Sequence, residues 1–266
     1  METFVIYCKS YRNDLSRVQV LAESVERFNV DKIPFYVSCP GSDFDLFKAS
    51  LPSSVTIIKD EDIVGKIYDQ NWTTQQIIKS QFWKLGIAEN NLCIDSDSYF
   101  IKPFKLSDFM VDDKTPYTVM HEQKELFTWS MNKTQILGFN PKESFASDRQ
   151  IIMDIFERQS RYYDFGPSPS IWSAKVWKDL EDHYCQPNNL TFEQLIKYSQ
   201  SEFTWYGETL LNFKSIPIYP VEPLFKVFHY HQQLNEYYNQ KITEEMIAEN
   251  YMGIIMTSNW NAPLKY

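Results

Sequence analysis

Along the first third of the chain, short apolar runs of strand length alternate with segments whose apolar residues recur at the 3.6-residue spacing of a helix. Phe4 to Cys8 is a continuous apolar run, which predicts a buried strand. Leu15 to Phe28 places Leu15, Val18, Leu21 (or Ala22) and Val25 on one side, so a helix follows. Ile33 to Ser38 predicts a second strand, closed by the turn Cys39-Pro40-Gly41-Ser42-Asp43, and Val55 to Ile58 predicts a third after another short helix. This order implies a parallel sheet with right-handed crossovers. A further helix is expected over Thr73 to Ala88, where Ile77, Ile78, Phe82 (or Gln81), Leu85 and Ala88 share one side. Directly after it, the apolar run Leu92-Cys93-Ile94 stops at Asp95-Ser96-Asp97. The second half is less regular, with aromatic segments around Trp129, Trp172, Trp177 and Trp205, turns at Pro167 and Pro169, and a helix expected over Thr243 to Met252. No internal repeat is visible. The expectation is a single α/β domain over residues 1–266, with a Rossmann-like, mostly parallel central sheet and an aromatic-rich C-terminal half.

Composition narrows the chemistry. The 266 residues carry 26 Lys+Arg against 35 Asp+Glu, a formal charge of −9, which disfavours nucleic acid and anionic membrane surfaces as partners. Only 7 residues are glycine, and they stand far apart, so neither Gly-x-Gly-x-x-Gly nor Gly-x-x-x-x-Gly-Lys occurs. The two commonest backbone cradles for phosphate are thereby excluded, and an anionic ligand needs a cation as go-between. The 4 cysteines are far apart and three lie in or beside strand-like runs, the pattern of reduced core thiols. The opening apolar stretch is too short for a signal peptide, and no run approaches the roughly 18 residues of a membrane span. A cytoplasmic protein without a membrane span is expected, and the sequons at Asn71, Asn132 and Asn189 are then chance matches.

Asp95 and Asp97 are the strongest chemical signal. Open parallel sheets bind ligands beyond the carboxyl ends of their strands, and two carboxylates converging where the chain leaves a strand offer hard oxygen ligands to Mg²⁺ or Mn²⁺, which in turn hold a diphosphate. A calcium loop of the EF-hand kind would need Asp/Asn and Gly where Tyr99 and Phe100 stand. A haloacid-dehalogenase-type phosphohydrolase would carry its acidic pair after the first strand and follow it with Gly-Thr.

The segments Gln75-Gln76-Ile77-Ile78-Lys79 and Leu92-Cys93-Ile94-Asp95-Ser96-Asp97-Ser98-Tyr99-Phe100-Ile101-Lys102-Pro103-Phe104 together resemble the centre of GT-A-fold glycosyltransferases of bacterial and viral polysaccharide assembly. Ser10-Tyr11-Arg12-Asn13-Asp14 and Ser201-Glu202-Phe203-Thr204-Trp205-Tyr206-Gly207 fit the opening and a later motif of one incompletely characterised, glycosyltransferase-like family of this kind, so the resemblance runs through most of the chain in order. It implies a GT-A-type domain, residues 1–110 binding the nucleotide-sugar donor and 111–266 the glycan or glycolipid acceptor, with peripheral membrane contact open. It implies Asp95 at the ribose or the metal, Asp97 as the direct Mn²⁺ or Mg²⁺ ligand, and a C-terminal histidine as a further ligand, His229 ahead of His231. Ser10 and Tyr11 would border the nucleotide, and Lys79 would place charge near the diphosphate. Inverting transfer needs a general base; Glu202 is the first candidate and Glu208 the second, and retaining transfer would need neither. Trp172 and Trp205 are candidates to stack on acceptor sugar rings, or else core. The alternatives are a non-catalytic carbohydrate- or nucleotide-binding protein of the same fold, and a nucleotidyltransferase, though the stretch Lys9 to Asp14 lacks the glycine-rich loop of the latter.

Overall fold

The computed structural model describes residues 1–257. The first half runs β1 (Glu2–Lys9), α1 (Leu15–Phe28), β2 (Phe35–Cys39), α2 (Phe44–Ser50), β3 (Val55–Lys59), α3 (Asp60–Val64), α4 (Trp72–Lys79) and β4 (Ala88–Cys93). The second half adds β5 (Ser98–Phe100), β6 (Thr118–Val119), α5 (Lys124–Ser130), α6 (Thr134–Leu137), α7 (Pro141–Ile155), β7 (Ser170–Ser173), α8 (Ala174–Leu180), α9 (Phe192–Tyr198), α10 (Glu202–Phe213), β8 (Pro220–Val221), β9 (Phe225–Phe228), α11 (His231–Asn239), α12 (Glu244–Ala248) and β10 (Gly253–Met256).

The central sheet has the order β3-β2-β1-β4-β7, with the first four strands parallel and β7 antiparallel to β4. The protein is therefore mixed α/β with a mostly parallel, Rossmann-like central sheet. Strand alternation explains the uninterrupted apolar run of β1: Phe4, Ile6 and Cys8 face one core with α1, while Val5 and Tyr7 face the other with α4, α8 and α10. The second core is aromatic. Tyr7 stacks on Phe82 with ring centroids 3.8 Å apart, and Trp172 meets Trp177 and Tyr206 at 5.1 and 5.7 Å. All four cysteines are buried and free.

Two expectations are revised. The helix expected over Thr73 to Ala88 stops at Lys79; Ser80 Oγ donates to the Ile77 carbonyl, a 3₁₀ turn carries Phe82 and Leu85, and Gly86 at φ +62° turns the chain so that Ala88 opens β4. The helix expected over Thr243 to Met252 covers only Glu244–Ala248. β7 completes the central sheet from the second half of the chain, and β10 pairs with β5 and β9 in a three-stranded sheet. Among the described residues, no helix is long and apolar enough to cross a membrane.

Candidate functional site

The chain passes outward from β1 through β2 to β3, then returns to the other side of β1 as β4. The strand order thus reverses between β1 and β4, and in open α/β sheets the crevice outside the carboxyl ends at such a point is where ligands bind. A cleft of about 610 Å³ lies there. Lys9 and Tyr11 reach it from the end of β1, Asp14 and Arg17 from the start of α1, Trp72 and Gln75 from α4, and Asp95 to Asp97 from the turn after β4. Asn13, Asn71 and Thr257 complete the wall.

The acidic turn is fastened at both ends. The Asp95 N–H donates to Ser168 Oγ at 2.6 Å, and the Asp97 carbonyl accepts from the Met256 N–H at 3.0 Å. Lys79 Nζ lies 2.9 Å from Asp95 Oδ1 and 2.5 Å from Glu202 Oε1, below the turn rather than in the open cleft. Burial pushes the Lys79 ammonium toward neutrality, but Asp95 and Glu202 outweigh it and raise its pKa well above the ordinary lysine value. Burial raises the Glu202 carboxyl, and Lys79 pulls it back.

The cleft is net acidic. Lys9 is at the wall, but its three N–H groups go to the Ser10 carbonyl at 2.7 Å, Gln70 Oε1 at 2.8 Å and Asp60 Oδ2 at 3.0 Å. Its charge is balanced by Asp60. Among the described lining residues this sets Arg17 against Asp14, Asp95 and Asp97, and burial raises the Asp14 carboxyl.

The residues proposed from sequence separate into three groups. Asp95, Asp97 and Tyr11 line the cleft together. Ser10 and Lys79 lie beneath it: Ser10 is buried with its N–H on the Ser38 carbonyl, and Lys79 contacts carboxylates where a diphosphate contact was expected. Glu202, Glu208 and His229 are not on the cleft wall. Glu202 is buried on Lys79, and Glu208, fully enclosed, is clamped by Arg158 through Nε and Nη2, each at 2.5 Å. Neither glutamate faces the cleft as a free base. His229 lines a different cavity, and burial lowers its pKa to about 4. Trp172 and Trp205 are core residues, 1% and 0% exposed; their apolar surface is already packed, so neither offers a stacking face.

The donor set decides what ion would fit. Among the described residues, no three His, Cys, Asp or Glu are gathered to hold a metal by themselves. Mg²⁺ commonly takes only one or two protein carboxylates and completes its shell with substrate phosphates and water. Asp95 and Asp97 fit such a shared ion; His229 does not join them.

Asp14 and Arg17 were given no role from sequence, nor were Trp72 and Gln75, although Asp14 and Gln75 stand in the segments that carry the resemblance. The signal for the first two was their place in the first turn after the first strand's carboxyl end. For Trp72 it was the helix-capping Asn71, whose side chain accepts from the Thr74 N–H at 2.9 Å.

Fold and cleft define a mixed α/β protein with an acidic cleft at the switch point of a mostly parallel sheet. The chain belongs to DUF6492, a family of unknown function, whose model matches residues 4–249. That span includes every cleft residue named above except Thr257. The comparison with curated proteins gives no match.

Proposed function

We propose that this protein is a metal-dependent glycosyltransferase of the GT-A type, moving a sugar from a nucleotide-sugar donor to a hydroxyl of a glycan or glycolipid. The observation that carries the reading is the meeting of Asp95-Ser96-Asp97 with Tyr11 and the 62%-exposed Trp72 in one cleft at the switch point. The aromatic pair offers ring faces to a base, and the carboxylates offer oxygens to a divalent cation. Bound Mn²⁺ or Mg²⁺ would neutralise the diphosphate leaving group in a cleft that otherwise repels it. Asp97 would be the principal ligand, as the resemblance implies, with Asp95 supporting it through the carboxylate that Lys79 holds. Arg17 would add charge stabilisation at the diphosphate. Four buried free thiols accord with a cytoplasmic location.

One observation favours the non-catalytic alternative: both glutamates proposed as the base are held by cations, Glu202 by Lys79 and Glu208 by Arg158. A retaining enzyme needs no such base, so the same observation also fits retaining transfer.

Titration with UDP and GDP, with and without Mn²⁺, tests the reading, followed by a screen of nucleotide-sugar donors for Mn²⁺-dependent hydrolysis. Metal-dependent binding that Asp97→Ala abolishes, together with donor hydrolysis, is expected. Metal-independent binding that survives Asp97→Ala would overturn the metal site, and binding without hydrolysis of any donor would favour the non-catalytic reading.

A further inference from the structure

A second cavity, of about 320 Å³, is walled by residues from the segment before and within the first turn of α5, from the approach to β9 and from β9 itself, and from α11. Its position relative to Asp97 follows from strand register. In the three-stranded sheet Ile255 of β10 pairs with Ser98 of β5, and Met256 pairs with Phe228 of β9, so β9 and β10 end where β5 begins. The Met256 N–H donates to the Asp97 carbonyl, and Thr257 Oγ1, from a residue on the first cleft's wall, donates to the Phe228 carbonyl at 3.0 Å. His229, the next residue, is on the second cavity's wall. Neighbouring strands stand about 4.8 Å apart, which puts the backbones at Asp97 and His229 about 10 Å apart, on the scale of one sugar joined to a phosphate.

The cavity wall is built rather than incidental. His121 Nε2 lies 2.7 Å from the Gly166 carbonyl oxygen, and the Gln123 N–H donates to its Nδ1 at 3.3 Å, so the ring is fixed at both nitrogens. Gln123 is held at φ +54°, a left-handed conformation that costs a non-glycine residue about 1 kcal/mol or more. Its side-chain amide donates to Asp164, which Arg149 holds in turn at 2.8 Å.

We propose that this second cavity is the acceptor subsite and that it takes a neutral saccharide. The identification as acceptor rests on the glycosyltransferase reading. The choice of a neutral sugar rests on the lining. Leu126, Pro223 and Val227 offer apolar surface to C–H faces, while Lys124 and Glu222 offer a donor and acceptors to hydroxyls that need both. The charges on the wall balance: Glu125 is held by Lys226 and Tyr251, and Lys124 stands with Glu222, so neither a net anion nor a net cation is favoured.

The test uses the full chain and the methyl glycosides of glucose, galactose and N-acetylglucosamine as probes, followed by saturation-transfer NMR and calorimetry. Val227→Trp fills the cavity; Glu222→Ala, at an exposed position, removes a polar contact without threatening the fold. At least one glycoside should bind the wild type, and both variants should weaken it, by roughly tenfold if one charged hydrogen bond is lost, while Mn²⁺-dependent UDP binding stays unchanged. Failure of all three glycosides to bind, or binding by both variants at the wild-type affinity, overturns the proposal. If UDP binding fails while glycoside binding is lost in the variants, the saccharide site stands and the glycosyltransferase reading falls.

Discussion

The ammonium of Lys79 lies 2.5 Å from Glu202 Oε1, and this contact ties α4 to α10 directly beneath the acidic turn after β4. Both side chains are buried, at 5% and 4% exposure, and Lys79 also holds Asp95. Lys79→Met would leave two carboxylates facing each other with no cation between them. Breaking a buried pair in this way costs about 3–5 kcal/mol, so urea denaturation should show a loss of that order. Adding Glu202→Gln should recover part of it, because the remaining like-charge repulsion is removed. Wild-type stability in Lys79→Met would show that the pair does not brace the turn.

Trp72 bears on affinity rather than stability. Removing an aromatic that stacks on a base costs about 1–3 kcal/mol, so Trp72→Ala should weaken Mn²⁺-dependent UDP binding by roughly tenfold or more. Its ring is largely solvent-exposed, so the melting temperature should hold. Unchanged UDP affinity would remove Trp72 from the nucleotide site.

Gly207 is an interior residue of α10, where glycine is otherwise unfavourable. A Cβ placed there would come within 2.0 Å of the Phe165 ring, so the helix approaches Phe165 only because no side chain intervenes. Gly207→Ala should therefore destabilise by at least the roughly 1–3 kcal/mol of an overpacked core, despite alanine's better helix propensity. Phe165→Ala removes the ring atoms that the new Cβ would meet, so Gly207→Ala with Phe165→Ala should be less destabilised than the two single losses added together; thermal melts of all three variants decide the matter.

Acid should weaken the fold in two stages. Burial holds His229 near 4 against 6.5 for the free side chain, so the unfolded chain takes its proton first and stability falls as pH drops from 6.5 toward 4. Burial alone would raise Asp164, but Arg149, His121 and Gln123 outweigh it and hold it at about 2 against 3.8, so its contribution is full above 3.8 and is lost as pH drops toward 2. His229→Gln should flatten the upper stage of stability against pH and leave the lower one. An unaltered upper stage would assign it to another group.

The sequence by itself determined the parts that depend on local pattern. The β1-α1-β2-α2-β3 order, the extent of α1 at Leu15–Phe28 and the strand ending at Asp95-Ser96-Asp97 follow from side-chain periodicity, which acts over a few residues. Three of the four buried thiols, Cys8, Cys39 and Cys93, were legible for the same reason, lying in or beside apolar runs. Only the tertiary structure decided which charges meet. Lys79 finds Glu202 from the far half of the chain, Arg158 takes Glu208 across 50 residues, and the reversed strand β7 closes the sheet edge beside β4. Chain closure sets those partners, and no spacing encodes it. The glutamates and His229 carried the right chemical groups for a site, but burial and long-range pairing placed them outside the cleft that Asp95 and Asp97 line.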